Sequence, residues 1–210
     1  MPGPGPAEDA ASVAFLLSFL FRTAFYLALA VAGGLGSAWM MIHSGSRLTT
    51  STAGPWVAWT MAGRTDADPY TRAHTVRLGL LPINTTMALT WHALVDGDGE
   101  RMRSSCEYVV EADGLDAQWW SLAVFDEKGN LIANAAERHA YNARTIALGA
   151  DGSYIVTLAR DARPGNWLPT GGAGRLVLVL SRPAPRPNAT AAESQAALRG
   201  LPAIRRIACR

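Results

Sequence analysis

The sequence has almost no surplus of charge. Nineteen basic residues face 17 acidic ones in 210, for a net charge of +2. Nothing is left over to neutralise a phosphate backbone, which excludes nucleic acid as the main partner. Hydrophobic residues make up 49% and charged residues 17% of the chain, a balance opposite to that of disordered proteins. Lysine is nearly missing: Lys128 is the only one among 18 arginines, a habit of composition rather than of chemistry. The familiar catalytic patterns are missing too. His43, His74, His92 and His139 show no paired spacing of the zinc type. Ser121 lacks the Gly-x-Ser-x-Gly turn that aims a nucleophile. Gly171-Gly172-Ala173-Gly174 has neither the spacing nor the lysine of a phosphate loop. Asp96-Gly97-Asp98-Gly99-Glu100 carries Arg101 where a helix-loop-helix calcium site needs glycine, and its residue types suit a hairpin turn. No metal and no cofactor is expected.

What is present is unevenly placed. From Val13 to Ile42, 23 of 30 residues are apolar, Arg22 is the only charge, and four of the five phenylalanines fall here. Thr23–Ile42 is long enough to cross a hydrocarbon core of about 30 Å as a helix, with Arg22 reaching the headgroups. Gly36-Ser37-Ala38 offers an alternative, a cleaved signal peptide. An apolar region longer than the usual ~7–15 residues favours an uncleaved anchor. A buried helix would need a polar stripe or a surrounding core, and none is evident. Small residues every four positions (Ala30, Gly34, Ala38) suit helix-mediated self-association. Arg22 on one flank and Arg47 and Arg64 on the other leave orientation undecided by charge.

The expected organisation is a disordered tail over 1–12, an anchor helix over 13–43, a tether over 44–54 and a β domain over 55–210. Asp68 caps and Pro69 opens a helix that runs to about Leu78 and stops at Gly79. Strands are expected over Met87–Val95, Cys106–Val110, Trp119–Phe125, Arg144–Leu148, Tyr154–Ala159 and Leu176–Leu180, separated by turn residues. Leu176–Leu180 is apolar on both faces and should be central. A short helix ending near Arg199 and an edge strand over Ala203–Cys209 complete the chain. Many short strands with regular turns indicate a β-sandwich or barrel.

Gln118-Trp119-Trp120-Ser121-Leu122-Ala123-Val124-Phe125-Asp126, Gly129-Asn130-Leu131-Ile132-Ala133-Asn134, Arg138, Asp151-Gly152-Ser153 and Gly165-Asn166-Trp167-Leu168-Pro169 resemble the signature of domain-of-unknown-function family 1214. Asp66 to Ala73 is similar to the short, membrane-anchored bacterial branch of that family. The resemblance runs from about residue 66 onward. It implies a jelly-roll-like antiparallel β-sandwich with one or two short helices and a bacterial envelope location. It implies no activity, and no catalytic residue is carried over.

Two features point toward a role. Cys106 lies on the core-facing register of its strand, and Cys209 is the penultimate residue. A disulfide between them would close a loop of about a hundred residues, stabilise by ~4–5 kcal/mol in a chain-entropy model, and place the domain in an oxidising compartment. The alternative is a buried thiol and a frayed one. On its strand, Trp120 shares a face with Leu122 and Val124 and belongs to the core, whereas Trp119 points to the opposite face. With Asn134, Arg138 and Trp167, Trp119 could line a ligand groove, unless the helix near 69–78 or the Trp167 loop covers it. The resulting expectation is a single-pass protein of the bacterial inner membrane, held by residues 23–42. Its periplasmic domain would be a binding or structural module of unknown ligand. The alternative is an envelope enzyme acting on a carbohydrate or other small molecule through a Trp119-lined groove.

Overall fold

The structure, a computed structural model, describes residues 6–113, 119–184 and 200–210. It contains two compact units, residues 1–45 and 46–210. The first is helix α1, Pro6–Ser44. Residues 6–12, expected as a tail, are helical: Pro6 suits a first helical position and the alanine-rich run after it favours helix. The segment Val13–Ser44, 32 residues with mean hydropathy 1.9, is about 48 Å long at 1.5 Å per residue. That is long and apolar enough to span a membrane. Gly45, at φ 68°, ends the helix by donating its N–H to Met41 O.

The second unit is a two-sheet sandwich. Its strands are β1 (Thr50–Ala53), β2 (Trp56–Trp59), β3 (Ala88–Ala93), β4 (Cys106–Ala112), β5 (Ser121–Asp126), β6 (Ala140–Asn142), β7 (Tyr154–Ala159), β8 (Asn166–Pro169), β9 (Leu176–Pro183) and β10 (Ala203–Cys209). One sheet runs β1-β2-β3-β9-β5-β6 and the other β10-β4-β7-β8. The chain passes repeatedly between sheets, as in a jelly roll. All pairings are antiparallel except β7–β8, which is parallel. That departs from the wholly antiparallel expectation, because residues 160–165 double back instead of forming a hairpin. As its two apolar faces predict, β9 lies inside its sheet, between β3 and β5.

The core sits between the sheets. Trp91, Leu122, Val124, Leu178 and Leu180 come from one side, and Tyr108, Val110, Val156, Leu158 and Ile204 from the other. Trp120 joins it and stacks on Tyr154 at 4.9 Å, while Trp56 Nε1 donates to Pro202 O at 2.7 Å. Cys106 and Cys209 are disulfide-bonded, 103 residues apart, and staple the edge strand β10 to β4. Helix α2 spans Pro69–Arg77, with Asp68 Oδ1 accepting from the N–H groups of Tyr70 and Thr71. Gly79 follows at φ 62°.

Three local expectations are corrected. The tether contains β1, whose β-branched residues pair with β2 across a turn at Gly54. Met87 is exposed, because Asn84 makes a turn with Thr86 and Met87 and the strand begins only at Ala88. Arg144–Leu148 is no strand. Asn142 O takes the N–H of Thr145 and Ile146, and the Asn166 side chain clasps both backbone groups of Ala147. With those groups occupied, the nearby strand is Ala140–Asn142 instead. The helix expected near Arg199 lies outside the described residues.

Candidate functional site

The loop entering β6 is built around Asn134. Its Oδ1 accepts from Arg138 N–H at 3.0 Å, and its Nδ2 donates to Ile132 O and Arg138 O at 2.9 and 3.0 Å. These bonds close a tight turn that holds Glu137 at φ 50°, a left-handed conformation costing a non-glycine residue about 1 kcal/mol or more. The turn aims Arg138 at two aromatic rings. Its guanidinium carbon lies 5.8 Å from the Tyr141 ring centroid and 6.0 Å from that of Trp167, within cation–π range. Tyr141 OH accepts Trp167 N–H at 3.0 Å, and Trp167 Nε1 donates to Ala159 O at 3.0 Å. Both rings are therefore fixed. Arg138 is exposed and joins no ion pair among the described residues.

Two open cavities flank this turn. One, about 490 Å³, is lined by Asn134, Ala136, Arg160, Trp167, Pro169 and Gly171. The other, about 670 Å³, is lined by residues including Glu137, Arg138, His139, Tyr141 and Thr145. Of the four residues expected to form a groove, Asn134, Arg138 and Trp167 come together. Trp119 is 43% exposed and lines neither of these cavities. Tyr141 and Arg160 were not anticipated. Tyr141 belongs to a three-residue strand, too short to announce itself by alternation, and Arg160 follows β7 in what reads as an ordinary turn.

Several polar groups elsewhere hold local structure. Asp96, buried, accepts the N–H groups of Asp98 and Glu100 and holds Arg206 at 3.6 Å, which makes its loop a hairpin turn. Among the described residues no group of three His, Cys, Asp or Glu side chains is arranged to hold a metal. Glu107 is bidentate to Arg163 at 2.8 and 2.7 Å, and that guanidinium holds its carboxyl below the usual range. On the outer face of the larger sheet, His74 of α2 stacks on Trp59 at 4.0 Å. Nearby His92 is pushed down by burial and by the charge of His74.

Residues 87–186, which include β3 to β9 and the whole Arg138 turn, match the model of a family described as protein of unknown function, DUF1214. That is the family whose signature the sequence resembles. The β-sandwich is similar to the VPA0106 protein from Vibrio parahaemolyticus, with a TM-score of 0.57 and 18% identity over 84% of this chain and 43% of that one. At that identity the likeness is one of fold. An uncharacterized protein from Burkholderia cenocepacia matches with a TM-score of 0.40 and 20% identity, over 70% of this chain and 46% of that one. The chain thus spans less than half the length of either solved protein. No curated protein matches it.

Proposed function

We propose that this protein is a membrane-anchored binding module of the bacterial envelope, with α1 in the inner membrane and the sandwich in the periplasm. Its ligand is a small anionic molecule recognised at the Arg138 turn. The observation that carries this reading is a guanidinium held over two fixed aromatic faces, beside open cavities, with no carboxylate paired to it. Such a cation offers a carboxylate or phosphate a bidentate partner, while Trp167 and Tyr141 supply flat apolar area of the kind sugar rings and other small ligands use. Arg160 adds a second positive charge to the neighbouring cavity. The α1 helix supports the anchor, and the Cys106–Cys209 disulfide supports the oxidising side of the membrane.

The test is a thermal-shift screen of the full-length protein in detergent, comparing acidic sugars and phosphorylated small molecules with neutral counterparts of the same size. The anionic members should raise Tm, and Arg138→Ala should weaken their binding about tenfold or more, by the ~1.5–3 kcal/mol of a charge-assisted hydrogen bond. Arg138 is exposed, so the variant should melt as the parent does without ligand. Equal shifts from neutral sugars, or undiminished binding by Arg138→Ala, would overturn the reading.

A further inference from the structure

The connection from α2 into β3 displays its apolar residues. Val76, Leu78, Leu80, Leu81, Ile83 and Met87 are all exposed within twelve positions, Leu81 at 98% and Val76 at 79%. Among the described residues, the other large apolar side chains exposed on this domain are scattered along the sequence, as is ordinary for a protein surface. A contiguous stretch is not ordinary and marks a contact surface.

The loop is built to stay where it is. Thr85 N–H donates to Ala62 O at 3.2 Å, Leu80 N–H donates to Thr75 O at 3.0 Å, and Asn84 turns the chain through Thr86 and Met87. Its backbone lies so close to Gly63 that a Cβ there would stand 2.7 Å from Pro82 O. Gly63 is also at φ 70°, so two independent constraints call for glycine at this crossing. Leucines held outward by a hydrogen-bonded scaffold are being presented, not left over from poor packing.

Their place in the domain says to what. Thr60 donates both its N–H and its hydroxyl to Thr49 O, at 3.0 and 3.1 Å, and Ala62, two residues on, holds Thr85. The loop therefore stands beside the point where the chain enters the domain. Only residues 45–49 separate the end of α1 from β1, a reach of at most about 20 Å even when extended. If α1 crosses a bilayer, this edge of the sandwich is the part of the domain tethered within shortest reach of the bilayer. In the neighbouring sequence basic residues outnumber acidic ones. Arg47, Arg72 and Arg77 are exposed and join no ion pair among the described residues, whereas Asp66 is neutralised by Arg64 at 2.6 Å and Asp68 is occupied as the α2 cap. Apolar side chains flanked by arginines are what an anionic membrane interface takes up.

We propose that residues 76–87 form a second membrane contact, inserting Leu78, Leu81 and Ile83 among the lipids of an anionic leaflet. This contact fixes which face of the sandwich looks away from the membrane. The inference rests on α1 being a membrane anchor and goes beyond the ligand site.

The experiment uses full-length protein in vesicles of phosphatidylethanolamine and phosphatidylglycerol. Both native cysteines are disulfide-bonded, so a single introduced cysteine takes an environment-sensitive fluorophore. Leu81→Cys is the test, Leu29→Cys in α1 the positive control, and Leu148→Cys, exposed in another loop, the negative control. Nitroxide-labelled lipids should quench positions 29 and 81, with position 81 quenched at least about threefold more than position 148. If position 29 is quenched while position 81 behaves like 148, the loop contact is wrong and the anchor stands. If position 29 is not quenched, the anchor reading fails and the inference falls with it. A blue-shifted but unquenched probe at 81 that depends on protein density would assign the surface to a second copy and overturn the proposal. Quenching at 81 no weaker in phosphatidylcholine vesicles would overturn the role given to the arginines.

Discussion

The two units of this chain treat the same residue types in opposite ways. In α1, Leu20, Phe21 and Leu35 are more than half exposed along a helix that satisfies its own backbone. In the sandwich, Leu122, Leu178 and Leu180 have no exposed surface at all. Burial here is a statement about solvent: a helix can display leucine where the medium is hydrocarbon, and a sandwich in water must enclose it. The difference teaches how to judge the loop at 76–87. It is part of the sandwich by hydrogen bonding, yet it displays leucines as the helix does.

The comparison can be broken first at its strongest contrast. Leu178→Ala, at the centre of the core, should cost about 2–5 kcal/mol of the sandwich's stability, read as a lower denaturant midpoint in detergent. Leu81→Ala should cost no more than about 0.5 kcal/mol in the same measurement. Similar losses for the two would mean that Leu81 is packed against protein, and the loop would then belong with the core.

A smaller effect separates the sandwich from the helix by pH. His92 is withdrawn from water, so its folded pKa lies below its ordinary value of 6.5. The fold favours the neutral ring, which makes the His92 contribution complete above pH 6.5 and progressively lost as pH falls below it. Glu107 is held below its ordinary 4.5 by Arg163. Its contribution is present above that pH and is lost as pH falls through the folded value. Melting temperature should therefore fall in two stages on acidification. His92→Gln should diminish the first and Glu107→Gln should diminish the second, to which Asp66, Asp68, Asp126 and Asp151 also contribute, while the helix signal stays unchanged.

Much of the sandwich was legible in the sequence because its signals are local and redundant. Asp68, Pro69 and Gly79 mark both ends of α2, and the two apolar faces of Leu176–Leu180 mark a strand with neighbours on both sides. Alternation puts Cys106 on the buried face beside Val110, and Cys209 is the only other cysteine in the chain, so the sequence offered one intramolecular partner while leaving two free thiols as the alternative. The errors arose where a side chain captured backbone groups. Asn142 and Asn166 take the hydrogen bonds that a strand at 144–148 would have used, and apolar alternation carries no trace of that. The same holds for the site. Trp167 and Arg138 stand out as residues, but Tyr141, which joins them, lies on the short strand β6, and the parallel pairing of β7 and β8 that positions Trp167 is signalled by no local pattern. Trp119 looked the more prominent platform, yet exposure alone did not put it beside the others. The loop at 76–87 reads as apolar in the sequence, and only the fold shows that nothing described in the domain covers it.

The proposed arrangement is an anchored domain on the oxidising side of a membrane, closed by Cys106–Cys209. Thiol labelling in spheroplasts tests it most directly, with a membrane-impermeant maleimide applied before and after an impermeant reductant. The expected result is no labelling before reduction and labelling of the exposed Cys209 after it, without lysis. Labelling before reduction, or only after lysis, would contradict it.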